Sequence, residues 1–226
     1  MIAARARDHD HTQQALWSFH VPLLAVALTT TAAVAILAAL VVMHPYLAVD
    51  ATVERDVQAT YWGPLALTFP FFSWIGDAKG AVFEAAVFVM VLVFNRRAWL
   101  LAAVASASGV WYAVLSHLIN RARPTTPQVL QVLEHPGASS FPSGHTIFIA
   151  TVASVLMLCL GDRFLPAWGR AIGWIVVGLT VLACGISRID SGAHWPTDVL
   201  AGILIAAAWL TFTVSLRRVS DPVLAR

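Results

Sequence analysis

The sequence has few charged residues and little cysteine. Only 12% of its 226 residues are charged, against about 25% in a typical soluble domain. Hydrophobic residues make up 59% of the chain, and the mean hydropathy is +0.76. This balance argues against a soluble enzyme, a disordered protein and a nucleic-acid binder. The two cysteines, Cys159 and Cys184, lie in different apolar runs, which indicates neither a disulfide framework nor a cysteine-based metal site.

Long apolar stretches dominate the chain instead. A membrane-spanning helix takes about 20 residues, so about six spans and their connections use the whole length. We predict an all-α fold: a polytopic membrane helix bundle of six transmembrane helices, with short interfacial helices in the extracytoplasmic loops, forming one integral membrane domain over residues 1–226. Residues 44–74 are interpreted as an extramembrane connection with one such short helix. The predicted spans are residues 21–43, 76–94, 100–119, 143–160, 171–186 and 198–216.

The positive charges divide unequally between the two ends of this predicted bundle. One end holds nine of them, Arg5, Arg7, Arg96, Arg97, Arg163, Arg170, Arg217, Arg218 and Arg226. The other end holds five, Arg55, Lys79, Arg121, Arg123 and Arg188. Because an excess of Lys and Arg marks the cytoplasmic side, we expect a multi-pass protein of the cell (inner) membrane with both termini in the cytoplasm.

Three polar clusters stand out against this apolar background. They are Arg123-Pro124 after the third span, Pro142-Ser143-Gly144-His145 at the start of the fourth, and Ser187-Arg188 with His194 and Asp198 between the fifth and sixth. An even number of crossings separates them, so all three are expected at the outer, extracytoplasmic surface. That convergence is the first functional signal in the sequence.

His194 and Asp198 are four residues apart and would share one face of a helix. The carboxylate can then accept the Nδ1 proton of the imidazole, which leaves Nε2 as a nucleophile or base. The alternative is a helix-capping Asp beside an interfacial His. Pro196 fits the first turn of such a helix.

Ser143 is a good N-cap residue, and Gly144 permits close backbone approach at the start of an apolar helix. A helix N-terminus suits a phosphate oxyanion, and His145 in its first turn can donate a proton to a leaving oxygen. An ordinary capped helix start would have the same pattern.

The arginines of these clusters are costly near hydrocarbon unless they are solvated or paired. The planar guanidinium groups of Arg123 and Arg188 match phosphate oxygens. Arg121 is interpreted as an outer-rim charge, and both Arg121 and Arg55 fit interfacial arginines that reach towards water. Taken together, two imidazoles, one carboxylate, two arginines and a helix N-terminus predict a phosphoryl-transfer site. No group of carboxylates is placed to hold a divalent cation, so we predict chemistry without a metal or a cofactor.

These motifs, Arg123-Pro124, Pro142 to His145, and Ser187-Arg188 with His194 and Asp198, resemble those of the type 2 phosphatidic acid phosphatase family. The resemblance implies that His194 is the nucleophile, Asp198 its orienting partner and His145 the general acid. It further implies that the phosphate is bound by Arg123, Arg188, Ser143 and Gly144. Bacterial membrane members act on undecaprenyl pyrophosphate, phosphatidylglycerol phosphate, phosphatidic acid or related lipids at the extracytoplasmic face. Residues 131–141 look like the loop of members assigned to undecaprenyl pyrophosphate.

The chain departs from the family at one motif position. Where the family has a lysine, seven residues before the motif arginine, this chain has Ser116. We hypothesise that the missing charge is supplied by Lys79 or by His117, the residue after Ser116. Glu84, an acid within the second predicted span, has no assigned role.

The resemblance implies a lipid phosphate substrate, embedding in the bilayer, no nucleic acid and no obligate protein partner. The motifs leave open a lipid-to-lipid phosphotransferase and a non-catalytic lipid binder. A transporter or channel fits less well, because the charged residues gather at one face of the membrane.

Overall fold

The computed structural model describes residues 18–76, 78–134 and 137–224, and their regular structure is helical apart from one isolated bridge between Phe19 and Leu216. The predicted N-terminal cations Arg5 and Arg7, and Arg226 at the other end, lie outside these residues. The helices are α1 Val21–Met43, α2 Ala48–Ala59, α3 Phe69–Ile75, α4 Ala78–Phe94, α5 Trp99–Ser106, α6 Gly109–Ile119, α7 Gly144–Leu156, α8 Ala167–Asp190, α9 Pro196–Ser215 and α10 Arg217–Leu224. A 3₁₀ segment, Gly63–Thr68, leads into α3, and a π-helical segment, Met157–Gly161, extends α7.

Among the described residues, five helical segments are long and apolar enough to cross a membrane, which confirms the all-α membrane fold class. They are Val21–Met43, Arg96–Ile119, Gly144–Phe164, Ala167–Asp190 and Pro196–Ser215. The predicted second span forms α4, but this helix has 17 residues, short of the about 20 that cross a bilayer without thinning it. The six-span count therefore stays a prediction. Residues 44–74 contain α2, the 3₁₀ segment and α3.

Helix α8 is longer than the predicted span of residues 171–186. It continues through Ser187 and Arg188 to Asp190, so the charged motif lies inside its last turn. A charged residue usually marks the end of an apolar helix, but Arg188 is fully buried and paired with Glu134, and the helix continues past it.

Helix α7 forms the centre of the bundle. In the most apolar stretch of the segment Gly144–Phe164, which begins with α7, 61% of the residues are buried, against 11% for α1. α8 and α9 both pack against α7, and α1 packs against α9. Gly202 allows α9 to approach the start of α7, because an added Cβ would lie 2.8 Å from the Ser143 carbonyl oxygen.

The start of α7, the end of α8 and the start of α9 meet at one end of the bundle. The Ser143 amide donates to the Asp198 carbonyl at 3.0 Å, which ties the starts of α7 and α9 together. The Leu133 amide donates to the Ser191 carbonyl at 2.8 Å, which fixes the long loop of residues 120–142 over the end of α8. α2 packs against both α8 and α9 at this end. The three polar clusters of the sequence therefore converge.

Candidate active site

His194 lies in the short connection between α8 and α9, and it is 2% exposed. Its amide donates to the Arg188 carbonyl at 3.2 Å, so the backbone at the end of α8 fixes its position. Its Nδ1 lies 2.6 Å from the Ser140 carbonyl oxygen. A carbonyl can only accept, so Nδ1 carries the proton and Nε2 keeps its lone pair.

The expected hydrogen bond from His194 to Asp198 is not the main contact of Nδ1. The distance from Nδ1 to Asp198 Oδ2 is 3.9 Å, well beyond the 2.6 Å to the Ser140 carbonyl. The two residues do not share a helical face, because α9 begins only at Pro196. This corrects the geometry inferred from the spacing of four: the carboxylate lies beside the imidazole while a backbone carbonyl orients it.

The environment of His194 favours the neutral imidazole. Burial lowers its pKa well below the ordinary value, and the nearby positive charge of Arg123 lowers it further. The hydrogen bond to Ser140 opposes these effects but does not outweigh them. An unprotonated Nε2 at neutral pH is the form that a nucleophile or base requires.

Asp198 is fixed by two other contacts. Its Oδ2 accepts the Trp195 amide at 2.9 Å, and its Oδ1 accepts from Arg121 Nη1 at 2.6 Å. Arg121 also donates through Nη2 to Asp50 Oδ2 at 2.7 Å. The interpretation of Arg121 as an outer-rim charge is therefore wrong: it is 3% exposed and joins two buried carboxylates.

His145 lies in the first turn of α7 and is 8% exposed. Its Nε2 is 3.4 Å from the Ser73 carbonyl oxygen, at the end of α3. Gly76 packs directly against the ring, since a Cβ at that position would lie 1.8 Å from His145 Cδ2. The imidazole is thus confined by the chain segment that follows α3.

Ser143 and Gly144 form the start of α7, as the sequence predicted. Ser143 is the N-cap residue with an extended backbone, and its buried hydroxyl accepts from Thr146 Oγ1 at 2.9 Å. Gly144 is the first helical residue, and an added Cβ there would lie 3.0 Å from the Tyr112 ring. The helix N-terminus with its amide groups therefore stands beside His145.

Arg123 holds the loop of residues 120–142 against His194. Its guanidinium donates to the carbonyl oxygens of Gly137 at 2.9 Å and Ser139 at 2.6 Å, and to that of Ala193, next to His194. One cation thus joins the long loop to the α8–α9 connection.

Arg188 has its Nη atoms occupied by side chains. Nη1 donates to Glu134 Oε2 at 2.8 Å, and Nη2 donates to the hydroxyl of Ser187 at 3.0 Å and to that of Ser73. Its buried Nε has no hydrogen-bond partner among the described residues.

Two neighbouring cavities open around these residues. The first, about 500 Å³, is lined by His145 and His194 together with Arg123, Gly144 and Glu84. The second, about 670 Å³, is lined by residues that include Ser73, Lys79, Glu134 and Arg188. The structure thus brings both histidines, Arg123 and Gly144 around one space, and Arg188 opens to the adjacent one.

The auxiliary candidates Lys79, Ser116 and His117 differ in whether they line a cavity. Lys79 lines the second cavity, and its Nζ lies 5.1 Å from the centre of the Trp74 ring. Ser116 donates to the Ala113 carbonyl at 3.2 Å. In the described part of the chain, neither Ser116 nor His117 lines either cavity.

Several residues at this end of the bundle were not singled out from the sequence. They are Asp50, Ser73, Gly76 and Ser140, together with Glu134, which was noted only as part of a loop. The acidic stretch around Asp50 was a usable signal, whereas a backbone carbonyl such as that of Ser140 has no signature in sequence. Within the described residues, no group of three or more His, Cys, Asp or Glu is arranged to hold a metal ion.

A family model described as the PAP2 superfamily matches residues 81–221, more than half of the chain. The chain belongs to the PAP2 superfamily. The matched region contains all three motifs and both histidines, whereas Asp50, Ser73 and Gly76 precede it.

Curated relatives of this PAP2 protein include lipid phosphatases. It is 32% identical over 114 residues to the decaprenylphosphoryl-5-phosphoribose phosphatase of Mycobacterium tuberculosis, a match covering 50% of this chain and 58% of that protein. It is 35% identical over 77 residues to the undecaprenyl-diphosphatase of Sulfolobus acidocaldarius, covering 34% of this chain and 32% of that protein. The chain thus matches less than two thirds of the length of either relative.

A solved structure has the same fold. The crystal structure of a transmembrane PAP2-type phosphatidylglycerolphosphate phosphatase from Bacillus subtilis superposes with a TM-score of 0.67. The match covers 83% of this chain and 93% of that one at 21% sequence identity.

Proposed function

We propose that the protein is a membrane lipid phosphatase that hydrolyses a phosphate or pyrophosphate monoester of a lipid through a phosphohistidine intermediate. The observation that carries the proposal is the buried, neutral His194, with Nδ1 engaged by a carbonyl, in the same cavity as His145. Membership of the PAP2 superfamily and relatives that are named lipid phosphatases support it.

In the first step, His194 Nε2 attacks phosphorus and a P–N bond forms as the P–O bond to the lipid, or to the lipid phosphate, breaks. His145 gives its proton to the departing oxygen. In the second step, His145 takes a proton from water, whose oxygen attacks phosphorus and breaks the P–N bond. Inorganic phosphate leaves, and both histidines return to their starting protonation states.

The remaining motif residues are assigned to the phosphate. Arg123 and Arg188 balance its negative charge, and the Ser143 hydroxyl with the Gly144 amide binds oxygens at the α7 N-terminus. Asp198 accepts the amide of Trp195, next to His194, and so holds the start of α9 beside the imidazole. No metal ion or cofactor is required by this scheme.

Lys79 is the better candidate for the charge that the family lysine supplies elsewhere, because it lines the cavity next to Arg188. We expect Lys79→Ala to weaken phosphate binding several-fold and His117→Ala to leave it unchanged. Steady-state inhibition by inorganic phosphate distinguishes the two, and equal inhibition constants in wild type and Lys79→Ala would reject the assignment.

The substrate proposed is a polyprenyl or glycerolipid phosphate, by analogy with the relatives and the solved structure named above. We propose further that the single domain lies in the inner membrane, that both termini are cytoplasmic and that the site faces outward. It needs no obligate protein partner. Reporter fusions at the two termini test this orientation.

The test is a phosphate-release panel on purified protein in detergent. The substrates are undecaprenyl pyrophosphate, undecaprenyl phosphate, phosphatidylglycerol phosphate, phosphatidic acid and a soluble phosphate ester, each with and without a chelator. We expect chelator-resistant release from at least one lipid and none from the His194→Ala variant. Equal rates for that variant and the wild type would refute catalysis at this site. Phosphate that appears on a second lipid instead of in water would favour a phosphotransferase.

A further inference from the structure

Arg188 is a fully buried cation, so its charge and its N–H groups must be satisfied by the protein or by a ligand. The Nη atoms are satisfied by Glu134, Ser73 and Ser187. The Nε hydrogen has no acceptor among the described residues. Buried donors are almost always paired in folded proteins, so an unpaired one beside a cavity indicates where a ligand oxygen binds.

Glu134 reaches Arg188 from the loop of residues 120–142. Its side chain is 29% exposed and lines the second cavity, which the fully buried Arg188 behind it also borders. Burial alone would raise the pKa of Glu134, but the Ser73 hydroxyl and the Arg188 cation outweigh it and hold the pKa below its ordinary value. The group is therefore a carboxylate at neutral pH and a full partner for the guanidinium.

Ser73 links this pair to the other half of the site. Its hydroxyl donates to Glu134 Oε1 at 2.5 Å and accepts from Arg188 Nη2, while its carbonyl oxygen lies 3.4 Å from His145 Nε2. One residue at the end of α3 thus contacts both the phosphate-binding arginine and the proposed proton donor. Ser73 lies before the region that the PAP2 family model matches, and Glu134 lies outside the three motifs.

We propose that Glu134 and Ser73 are positioning residues. They accept hydrogen bonds from the Nη atoms of Arg188 and so orient its Nε towards a phosphate oxygen of the substrate. This inference rests on the proposed phosphatase function. The alternative role for Glu134 is to compete with phosphate for Arg188. In that case the carboxylate would weaken phosphate binding, and its removal would make phosphate bind more tightly.

The experiment compares Glu134→Gln and Ser73→Ala with Asp190→Asn. Asp190 is a matched control because it supplies another carboxylate at the same cavity, and within the described residues the ion pair of Arg188 is with Glu134 and not with Asp190. Binding of inorganic phosphate and of orthovanadate is measured in two ways. One is inhibition of lipid phosphate hydrolysis, and the other is the ligand-induced rise in unfolding temperature, followed by tryptophan fluorescence.

We expect Glu134→Gln and Ser73→Ala each to weaken phosphate binding about tenfold, the size of one charge-assisted hydrogen bond. The Michaelis constant should rise in parallel while kcat changes much less, a split that general destabilisation would not produce. Asp190→Asn should stay within about twofold of wild type. The two residues act on one guanidinium. The affinity of the double variant for phosphate should therefore be no lower than that of the single variant with the lower affinity.

Tighter phosphate binding in Glu134→Gln, or binding equal to that of the wild type, would overturn the inference. If a variant has little hydrolytic activity, the thermal-shift measurement still reports its phosphate affinity. A wild type that hydrolyses no lipid phosphate refutes the proposed function. An active wild type whose two variants bind phosphate normally refutes only the positioning role.

Discussion

Removal of the Arg121 guanidinium should destabilise the protein strongly, because two buried carboxylates lose their cation. In Arg121→Gln, Asp198 loses a contact of 2.6 Å and Asp50 one of 2.7 Å. Both carboxylates are at most 1% exposed, so water cannot replace the lost cation. Breaking a buried ion pair from one side costs about 3–5 kcal/mol.

That cost converts into a measurable shift. For a protein of this size, 1 kcal/mol corresponds to about 2–4 °C in Tm, so we expect a fall of about 6–20 °C. Thermal unfolding in detergent, followed by tryptophan fluorescence, provides the assay. Arg55→Gln is the matched control, because Arg55 is exposed and donates to two carbonyl oxygens, those of Gln128 and Pro127, rather than to a buried carboxylate.

A second variant separates charge from bulk. In the Arg121→Gln background, Asp50→Asn removes one of the two buried carboxylates that have lost their cation. The double variant should therefore recover part of the lost stability. A Tm of Arg121→Gln within 2 °C of that of Arg55→Gln would refute a structural role for this pair of buried carboxylates and their cation. Simple addition of the Asp50→Asn and Arg121→Gln effects would refute it as well.

Three further outcomes follow from other groups. Burial and the nearby acids raise the pKa of Glu54 to about 9, so the native state holds this proton from about pH 4.5 to 9 and loses stability as pH rises through that range. Glu54→Gln should remove this pH dependence and raise the free energy of unfolding by about 3 kcal/mol at pH 7. Parallel curves of Tm against pH for the variant and the wild type would contradict this expectation. Gly76→Ala should lower kcat at least tenfold, because its Cβ collides with the His145 ring, whereas Gly178→Ala, whose Cβ meets no described atom within 4 Å, should leave kcat unchanged. Activity should survive exhaustive chelation, and recovery only on adding back a divalent cation would exclude the proposed mechanism.

The sequence was sufficient to predict an all-α membrane bundle and the convergence of three motifs at one end. Long apolar runs predict membrane helices directly. Because an even number of predicted crossings separates the three motifs, they are expected on the same side of the membrane. The length of α8 was underestimated because a charged residue near the end of a span normally stops it. Arg188 instead lies within the last turn of α8, where Glu134 pairs with it from a loop 54 residues earlier.

The finer geometry of the site was beyond a pattern argument. His194 and Asp198 have the spacing of a helical pair, but the helix starts after the histidine, and the acceptor for Nδ1 is the backbone of Ser140. Every residue has a carbonyl, so no residue type signals that contact. Arg121 looked interfacial because its partner Asp50 is 71 residues away and meets it only through the packing of α2.

The proposed reaction requires a covalent bond between His194 and phosphorus. To detect it, the purified protein is mixed with a phosphate-labelled lipid substrate and quenched in base within a single turnover, and the labelled peptide is mapped by mass spectrometry. We expect an acid-labile, base-stable phosphate on residue 194, absent from His194→Ala. Label on another residue, or full single-turnover hydrolysis with no covalent phosphate on the protein at any time, would contradict it.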